Sequence, residues 1–435
     1  MDPLEEIKAR IPIEVLVAEY VNLKKSGSNF KGLSPFKTEK TPSFMVSPDK
    51  GIAYCFATQQ GGDIFRIYQL LEKVDFPEAV RQLAEKAGVS LRNYQASSSN
   101  FKKEAYQLMK TVIEFYQDQL TRTNEAYSYW KNRQITPEIS QSFQIGYAPS
   151  GNQTTFQYLK RKGFEADLML AVGLIGQNEN GEYYDRFRER IMIPIYDHLG
   201  NPVGFGGRLI KDDPHQGKYL NSPENALYNK SQLLFGLDKA KESIKKKGYV
   251  ILVEGYLDVI ASHQAGETAC IGVSGTALTN EQLQLIKRYT SHLKLCFDQD
   301  SAGREANKRA IQLATSQDFS VEIILIENSK DVDELVQKSP ENWLKSVENG
   351  IPPFDFFFLE SQERFDIKKT EDRQKIVNEL FPKIAWFSST VLQQTYLKKL
   401  AESCQLNLKL LMEEFAGFKK NHKNHLPLPQ PESHF

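Results

Sequence analysis

Acidic residues stand at the ends of three apolar segments in the second half of the chain, within the strings YVILVE, LKLCFDQD and VEIILIENSKDVD. The carboxylates at or just beyond these ends are Glu254, Asp258, Asp298, Asp300, Asp331 and Asp333. In an open α/β sheet, ligands bind outside the carboxyl ends of the strands, where these side chains would meet. Clustered carboxylates repel one another unless a cation neutralises them, and Mg²⁺ or Mn²⁺ suits oxygen ligands. The pattern predicts metal-assisted phosphoryl or nucleotidyl transfer. The alternative for any single acid is a solvated loop residue or a helix cap.

Basic residues are concentrated just before the acids, in a chain whose 55 Lys and Arg balance its 55 Asp and Glu. They are Arg186, Arg188, Arg190, Arg208, Lys218 and Lys230. Guanidinium forks and lysine ammonium groups bind triphosphates and nucleic-acid backbones. Because the net charge is zero, a nucleic-acid partner would need such a local patch. The alternative is a solvated basic face.

The acids need a scaffold, and the sequence from Tyr249 to Glu327 alternates apolar strands with helical segments. This alternation is typical of a parallel sheet flanked by helices. Residues 352–416 are predicted to be all-helical, and short strands are predicted between Asn29 and Phe56. The predicted fold class is therefore α/β in the acidic segment and mixed α+β overall, in more than one domain.

The composition is that of a soluble globular protein, with 40% hydrophobic and 25% charged residues. No apolar run approaches the ~20 residues that span a bilayer. The acidic N-terminus is neither a signal nor a transit peptide. The 4 cysteines lie far apart, which fits a reducing compartment rather than a disulfide framework. We expect a cytoplasmic protein with no membrane partner.

The acidic strings resemble a known domain. VEGYLD, FDQDSAG and KDVDE are similar to the Toprim motifs shared by bacterial primases, topoisomerases and some nucleases. The family usually has Asp-Pro-Asp in the last motif, whereas Val332 stands between the two acids here. This resemblance covers residues 249–335 and leaves the three enzyme classes open.

The basic segment separates these classes. RFRERIM, GFGGR and KYLNSPE resemble, in the same order, the catalytic core of bacterial replicative primases of the DnaG type. This resemblance covers nearly the whole chain. It implies a DNA-templated RNA polymerase that makes primers de novo from ribonucleoside triphosphates on single-stranded DNA.

The resemblance also implies roles for individual residues. Those expected to line the nucleotide and template site, beside the four arginines, are Lys218, Tyr219, Asn221 and Lys230. The six acids would form the metal site, and the expected catalytic residues are Glu254, Asp298 and Asp300. Whether Glu254 acts as a general base or as a metal ligand is left open.

Members of this family begin with a zinc-ribbon domain that helps to hold the template, through a Cys-x₂-His and a Cys-x₂-Cys pair. The strings EKTPSF and GGDIF resemble that domain, but the four ligand positions hold Ser34, Lys37, Cys55 and Thr58. Hydroxyls are poor zinc ligands and a lysine ammonium repels the ion, so we expect no zinc. Structural zinc contributes ~10 kcal/mol or more to folding, which packing must replace. Aromatic candidates for that core, or for stacking on bases, are Phe30, Phe36, Phe44, Tyr54, Phe56 and Phe65.

Lysines interleaved with these aromatics suit single-stranded DNA. They are Lys24, Lys25, Lys31 and Lys37. The predicted domains are 1–95, zinc-ribbon-like and template-binding; 96–103, a linker; 104–245, the basic part of the catalytic core; 246–340, Toprim; 341–416, a helical subdomain; and 417–435, a disordered tail.

Two points stay open. The family continues into a helical domain that docks on the replicative helicase, and we expect that domain to be missing here, which leaves a helicase partner in doubt. The other functions considered are an inactive scaffold that binds single-stranded DNA and a Toprim nuclease. The retained acids count against the first, and the string KYLNSPE counts against the second.

Overall fold

The computed structural model describes residues 3–421 except 38, 40, 59, 73, 75, 90, 91, 212, 214, 215, 276, 299 and 300. The chain forms two compact units, the first extending to Glu104 and the second beginning at Ala105. The predicted fold class is confirmed, because antiparallel sheets, a parallel sheet and a helical region are all present.

The first unit is built on an antiparallel sheet in the order β1-β2-β3-β4-β5. Its strands are β1 Lys24–Ser26, β2 Asn29–Gly32, β3 Phe44–Ser47, β4 Ile52–Cys55 and β5 Gln60–Gly62. Its helices are α1 Pro3–Arg10, α2 Ile13–Ala18, α3 Ile64–Glu72, α4 Phe76–Ala87 and the start of α5 Arg92–Arg122. Strand β3 alternates between buried and half-buried residues, and Phe44 packs with Val17 of α2 and Ile67 of α3. Of the six aromatic candidates, Phe44 and Phe65 are buried, whereas Phe56 is exposed.

The segment predicted as a linker, 96–103, lies inside α5. This helix runs across the boundary between the two units at Glu104. The connection is therefore helical, where the polar composition had suggested a coil.

The second unit opens with a sheet in the order β11-β10-β9-β6 and a separate β7-β8 hairpin. The strands are β6 Gly146–Ala148, β7 Ile175–Gln177, β8 Tyr183–Asp185, β9 Arg190–Tyr196, β10 Pro202–Leu209 and β11 Tyr219–Asn221. The helices are α6 Asn124–Lys131, α7 Pro137–Ser142, α8 Thr154–Arg161, α9 Ala166–Ala171 and α10 Leu237–Lys247, with a 3₁₀ turn at Lys230–Gln232. Every residue of β10 is buried, so its glycines are packing positions. A Cβ at Gly206 would lie 2.5 Å from the ring of Tyr256, and one at Gly204 would lie 2.5 Å from Tyr228.

The acidic segment forms a parallel sheet in the order β13-β12-β14-β15. Its strands are β12 Val250–Val253, β13 Cys270–Gly272, β14 His292–Cys296 and β15 Ser320–Ile323. Its helices are α11 Tyr256–Gln264, α12 Asn280–Lys287, α13 Ser301–Ser316, α14 Val332–Lys338 and α15 Pro340–Glu348. Strand β12 is buried throughout, as expected for a strand covered on both faces.

Four helices follow: α16 Pro353–Gln362, α17 Thr370–Ala385, α18 Thr390–Cys404 and α19 Leu408–Asn421. Their apolar residues, among them Phe354 and Leu400, share a core with Leu293 of β14. The predicted disordered tail began too early, because residues 417–421 belong to α19. Residues 422–435 lie outside the described part. No helix of that part is long and apolar enough to cross a membrane.

Candidate active site

The strand order of the parallel sheet creates a switch point between β12 and β14. The chain leaves β12 toward β13 on one side and leaves β14 toward β15 on the other, which opens a crevice at their carboxyl ends. Glu254 directly follows β12, and Asp298 lies just beyond β14. The backbone amide of Asp298 donates a 3.2 Å hydrogen bond to the Glu254 carboxylate. Two of the predicted catalytic acids are therefore neighbours at the switch point.

Asp258 lies in the first turn of α11, shortly after Glu254. One of its carboxylate oxygens accepts from the Gly255 amide at 3.1 Å, and the other accepts from the Asp333 amide at 3.0 Å. Burial raises the pKa of Asp258 to about 8, and the negative charges of Asp331 and Asp298 add to this rise. Carboxylates from β12, β14 and the loop after β15 thus converge on one region.

The last two acids flank the start of α14. Asp331 caps the helix by accepting from the Glu334 amide at 2.8 Å. The Asp333 carboxylate is buried and pairs with Arg133 at 2.9 Å and with Gln337 at 2.8 Å. Asp333 is therefore already neutralised by a cation that the sequence had not indicated.

These donors fit a hard divalent cation, because they are all carboxylate oxygens. Among the described residues, no three His, Cys, Asp or Glu side chains are grouped closely enough to hold a metal by themselves. Mg²⁺ is commonly held by one or two carboxylates together with water and substrate phosphates, so it needs no such group. Asp300, the remaining predicted ligand, lies outside the described residues.

Part of the basic strip, which comprises the six basic residues predicted between Arg186 and Lys230, adjoins the acids. Arg208 of β10 is buried, and its cross-strand partner is Tyr219 of β11, whose hydroxyl accepts a hydrogen bond from it. Asn221, at the end of β11, accepts a 3.0 Å hydrogen bond from the hydroxyl of Tyr256 in α11. Its amide group donates to the carbonyl of Ser274, beyond β13, at 3.3 Å. Strand β11 is thereby tied to the edge of the parallel sheet.

Other basic residues make different contacts. Arg190 is buried, and its guanidinium donates to the carbonyls of Gly207 and Gly217 at 3.2 and 3.1 Å. Arg188 donates to the Asp185 carbonyl at 2.6 Å. Arg190 thus holds the chain before β11 in place.

The exposure of the remaining basic residues differs. Lys218 is exposed, whereas Lys230 and Arg186 are partly buried. The binding roles predicted for Arg186, Arg188, Arg190, Lys218 and Lys230 stay predictions.

Three residues that join the basic strip to the acids were not predicted from the sequence. They are Tyr129, Arg133 and Tyr256. The spacing of Tyr129 and Arg133 suits one helix face, but no pattern shows that this face meets Asp333, 200 residues later.

Hydrogen bonds connect two of the four positions that correspond to the zinc ligands, Ser34 and Cys55, and tie neighbouring residues together. The Cys55 thiol donates to the Ser34 hydroxyl at 3.1 Å, and Glu39 accepts from the amides of Ser34 and Ser43 at 2.8 and 3.0 Å. Lys37 is exposed. With one thiol among these four positions, the residues do not fit tetrahedral zinc.

Family models match four consecutive parts of the chain. Residues 1–99 match the CHC2 zinc finger, 115–241 the N-terminal domain of the DNA primase catalytic core, 251–336 a Toprim-like domain, and 354–408 the DnaB-helicase binding domain of primase.

Relatives match the chain as a whole. A DNA primase of Enterococcus faecalis is 35% identical over 439 residues, covering 97% of this chain and 70% of that protein. The chain belongs to the bacterial DNA primases of the DnaG type. The primase of Deinococcus radiodurans is 35% identical over 373 residues, covering 85% of this chain and 64% of that protein.

Solved primase structures agree. The zinc-binding and RNA polymerase domains of the Aquifex aeolicus primase match with a TM-score of 0.63 and 31% identity, covering 95% of this chain and 100% of that one. A DnaG catalytic domain bound to single-stranded DNA matches with a TM-score of 0.60 and 31% identity, covering 70% of this chain and 99% of that one. This chain is accordingly a nucleotidyltransferase that makes RNA primers.

One expectation about this primase is wrong. We expected the helicase-docking domain to be missing, but residues 354–408 match the DnaB-helicase binding domain of primase. That range spans α16 to α18 and reaches the first residue of α19. Helical periodicity alone could not separate a docking domain from an ordinary helical subdomain.

Proposed function

We propose that this primase starts RNA chains on single-stranded DNA at the switch point between β12 and β14, in the cytoplasm. The observation that carries the proposal is the series of contacts that connects the acids to Arg208 of the basic strip. Arg133 pairs with Asp333, and Arg133 and Arg208 both donate to Tyr129. A triphosphate needs cations for its phosphates, and nucleotidyl transfer needs acids that hold metal ions. Both groups adjoin the same edge of the sheet.

In the reaction, the 3′-hydroxyl of one ribonucleotide attacks the α-phosphate of the next, and pyrophosphate leaves. When bound, Mg²⁺ or Mn²⁺ would activate the hydroxyl and offset the charge of the leaving group. We assign the metal ions to three half-buried acids, Glu254, Asp298 and Asp331. Asp300 is assigned to the same ions. The amide of Asp298 orients the Glu254 carboxylate. That carboxylate either takes the hydroxyl proton or binds the ion, and both roles require it to be ionised.

The buried acids support this arrangement. Asp258 fixes the start of α11 through Gly255 and the start of α14 through Asp333. It therefore sets the distance between the acids that follow β12 and those that precede α14. The basic side chains Arg208 and Lys218, with Tyr219 and Asn221, are assigned to the nucleotide and template.

The first unit is assigned to the template. Lys24, Lys25 and Lys31 are exposed on the β1-β2 hairpin. Beside the hairpin lies an open cleft of about 620 Å³ whose lining includes Tyr20, Leu23 and Phe30. Lysines beside the exposed Tyr20 and the half-buried Phe30 suit a single strand, through phosphate contacts and base stacking. The helices α16 to α18 are assigned to the replicative helicase.

The proposal is tested by incubating the protein with single-stranded DNA, ribonucleoside triphosphates and Mg²⁺. Short RNA products are expected. Shortened DNA in place of RNA would favour a Toprim nuclease, and DNA binding without any product would favour an inactive scaffold.

We expect the purified primase to contain no stoichiometric zinc, because three of its four ligand positions lack a thiol or an imidazole. Elemental analysis of the protein checks this. A matched control restores the ligands with Ser34→Cys, Lys37→His and Thr58→Cys, and this variant should take up about one zinc per chain. Finding about one zinc in the unaltered protein, or unfolding of the first unit by a chelator, would contradict the expectation.

A further inference from the structure

The phenol oxygen of Tyr129, in α6, lies between two guanidinium groups. The Nε of Arg208 donates to it at 2.5 Å, and the Nη2 of Arg133 donates to it at 3.4 Å. The guanidinium carbon of Arg133 also lies 5.7 Å from the centre of the Tyr129 ring. One neutral side chain therefore holds two like charges, which would otherwise repel each other, at a fixed separation.

Each arginine continues to a different half of the site. Arg208 donates to the hydroxyl of Tyr219 in β11, and its guanidinium carbon lies 5.2 Å from the centre of that ring. Arg133 pairs with Asp333 at 2.9 Å, and the Asp333 amide donates to Asp258 at 3.0 Å. Tyr129 is therefore the midpoint of a continuous chain of hydrogen bonds from the basic strip to the acids.

Exposure differs among the residues of this chain. Arg208 is only 7% exposed, whereas Tyr219 is 40% exposed. Tyr129 is half-buried, and its ring packs against the core beneath β9 and β12. Arg208 is thus fixed by packing, whereas Tyr219 faces solvent where a substrate can reach it.

We propose that Tyr129 is a positioning residue for the incoming ribonucleoside triphosphate. This inference rests on the proposed function above. Tyr129 acts through Arg208 and Arg133, because it holds their guanidinium groups in the positions where they would bind the phosphates. Each guanidinium has five N–H donors, more than these contacts use. An arginine that is ordered before binding loses less side-chain freedom when the ligand arrives. Tyr129 therefore increases the affinity for the nucleotide rather than the rate of the chemical step.

Tyr129→Phe tests this, because it removes the oxygen and keeps the packed ring. We expect the KM for ribonucleoside triphosphates to rise about tenfold, as for loss of a hydrogen bond to a charged group. The kcat should stay within about twofold, because interactions formed equally in ground and transition states affect KM alone. The assay measures RNA synthesis by the full chain at saturating single-stranded DNA and Mg²⁺, and the melting temperature is recorded in parallel. The matched control is Tyr127→Phe on the same helix, at a side chain that is 52% exposed, which should leave KM unchanged.

A second variant separates this inference from the assignment of the site. Arg208→Lys keeps the charge but lacks the planar fork that Tyr129 holds, so it should raise KM by itself. Adding Tyr129→Phe to it should then raise KM by much less than tenfold, because the two residues act as one unit.

The outcomes are distinct. An unchanged KM in Tyr129→Phe, or a loss of kcat and melting temperature at constant KM, would overturn the positioning role. A full tenfold effect retained in the Arg208→Lys background would overturn the route through Arg208. A normal KM in Arg208→Lys itself would instead contradict the proposed nucleotide site.

Discussion

Replacement of Asp298 by asparagine is expected to lower primer synthesis at least about a hundredfold. A bound metal ion contributes several kcal/mol of charge stabilisation in the transition state, and each 1.36 kcal/mol is a factor of about ten in rate. Asp298 follows β14 at the switch point, and its amide is bonded to Glu254. Asparagine keeps the volume and the backbone contact but loses the negative charge that binds the ion. Incorporation of labelled ribonucleotides into RNA gives the rate.

The control for this variant is Glu281→Gln, which also removes one negative charge. Glu281 is exposed in the first turn of α12, on a helix that flanks the same sheet. It should leave synthesis unchanged. The Asp298→Asn protein should melt no lower than the unaltered chain, because one source of repulsion at Asp258 is gone. Full activity in Asp298→Asn would mean that the metal is held elsewhere.

The place of Asp298 could be predicted because it depends only on where a strand of a parallel sheet ends. A parallel sheet brings the carboxyl ends of its strands to one edge, so residues that end strands are brought together whatever loops connect them. Glu254 and Asp298 needed only that rule. The structure adds that β12 pairs with β14 in parallel, with Val253 beside Cys296.

The partner of Asp333 could not be predicted in the same way. Arg133 follows α6 and meets Asp333 because Trp130 of α6 and Leu335 of α14 belong to one core cluster of the second unit. Hydrophobic patterning indicates that each helix has a buried face, but it does not indicate which element covers that face. The clustering of basic residues in the sequence also did not distinguish Arg190 from Arg208, because both belong to the same basic segment. The structure separates them, because Arg190 spends its donors on backbone carbonyls.

The first unit is folded although three of its four zinc-ligand positions hold residues that bind zinc poorly. The absence of zinc ligands could have meant an unfolded segment, yet Phe44 and Cys55 are fully buried in one cluster. Glu39 connects the chain at Ser34 to the start of β3 through the Ser43 amide. Neither feature is visible from composition, because both depend on which strands pair. The strands of this unit are therefore held by packing around Phe44 and by the hydrogen bonds of Glu39.

Neutralising the lysines of the β1-β2 hairpin is expected to have the second large effect, a loss of affinity for single-stranded DNA. Lys24 and Lys31 are direct cross-strand partners, and like charges placed so destabilise a sheet. A bound phosphate backbone would relieve that repulsion. In the variant with Lys24→Gln, Lys25→Gln and Lys31→Gln, each lost phosphate contact should remove roughly 0.7 from the slope of log K against log salt. Three contacts together should weaken single-stranded DNA binding roughly tenfold to a hundredfold at physiological salt.

Fluorescence anisotropy with a labelled single strand, between about 50 and about 200 mM salt, gives both the affinity and the slope. Exposed lysines on an edge strand also prevent sheets from pairing edge to edge, so a purely protective role must be separated from binding. The matched control changes the net charge equally, with Lys102→Gln, Lys103→Gln and Lys110→Gln on the exposed face of α5. If both triple variants lose the same affinity, the effect is one of overall charge, and the hairpin is not the DNA contact. If only the hairpin variant loses affinity and slope, and it melts no lower than the unaltered protein, the lysines hold the template directly. The unit then grips DNA through the charge of this hairpin.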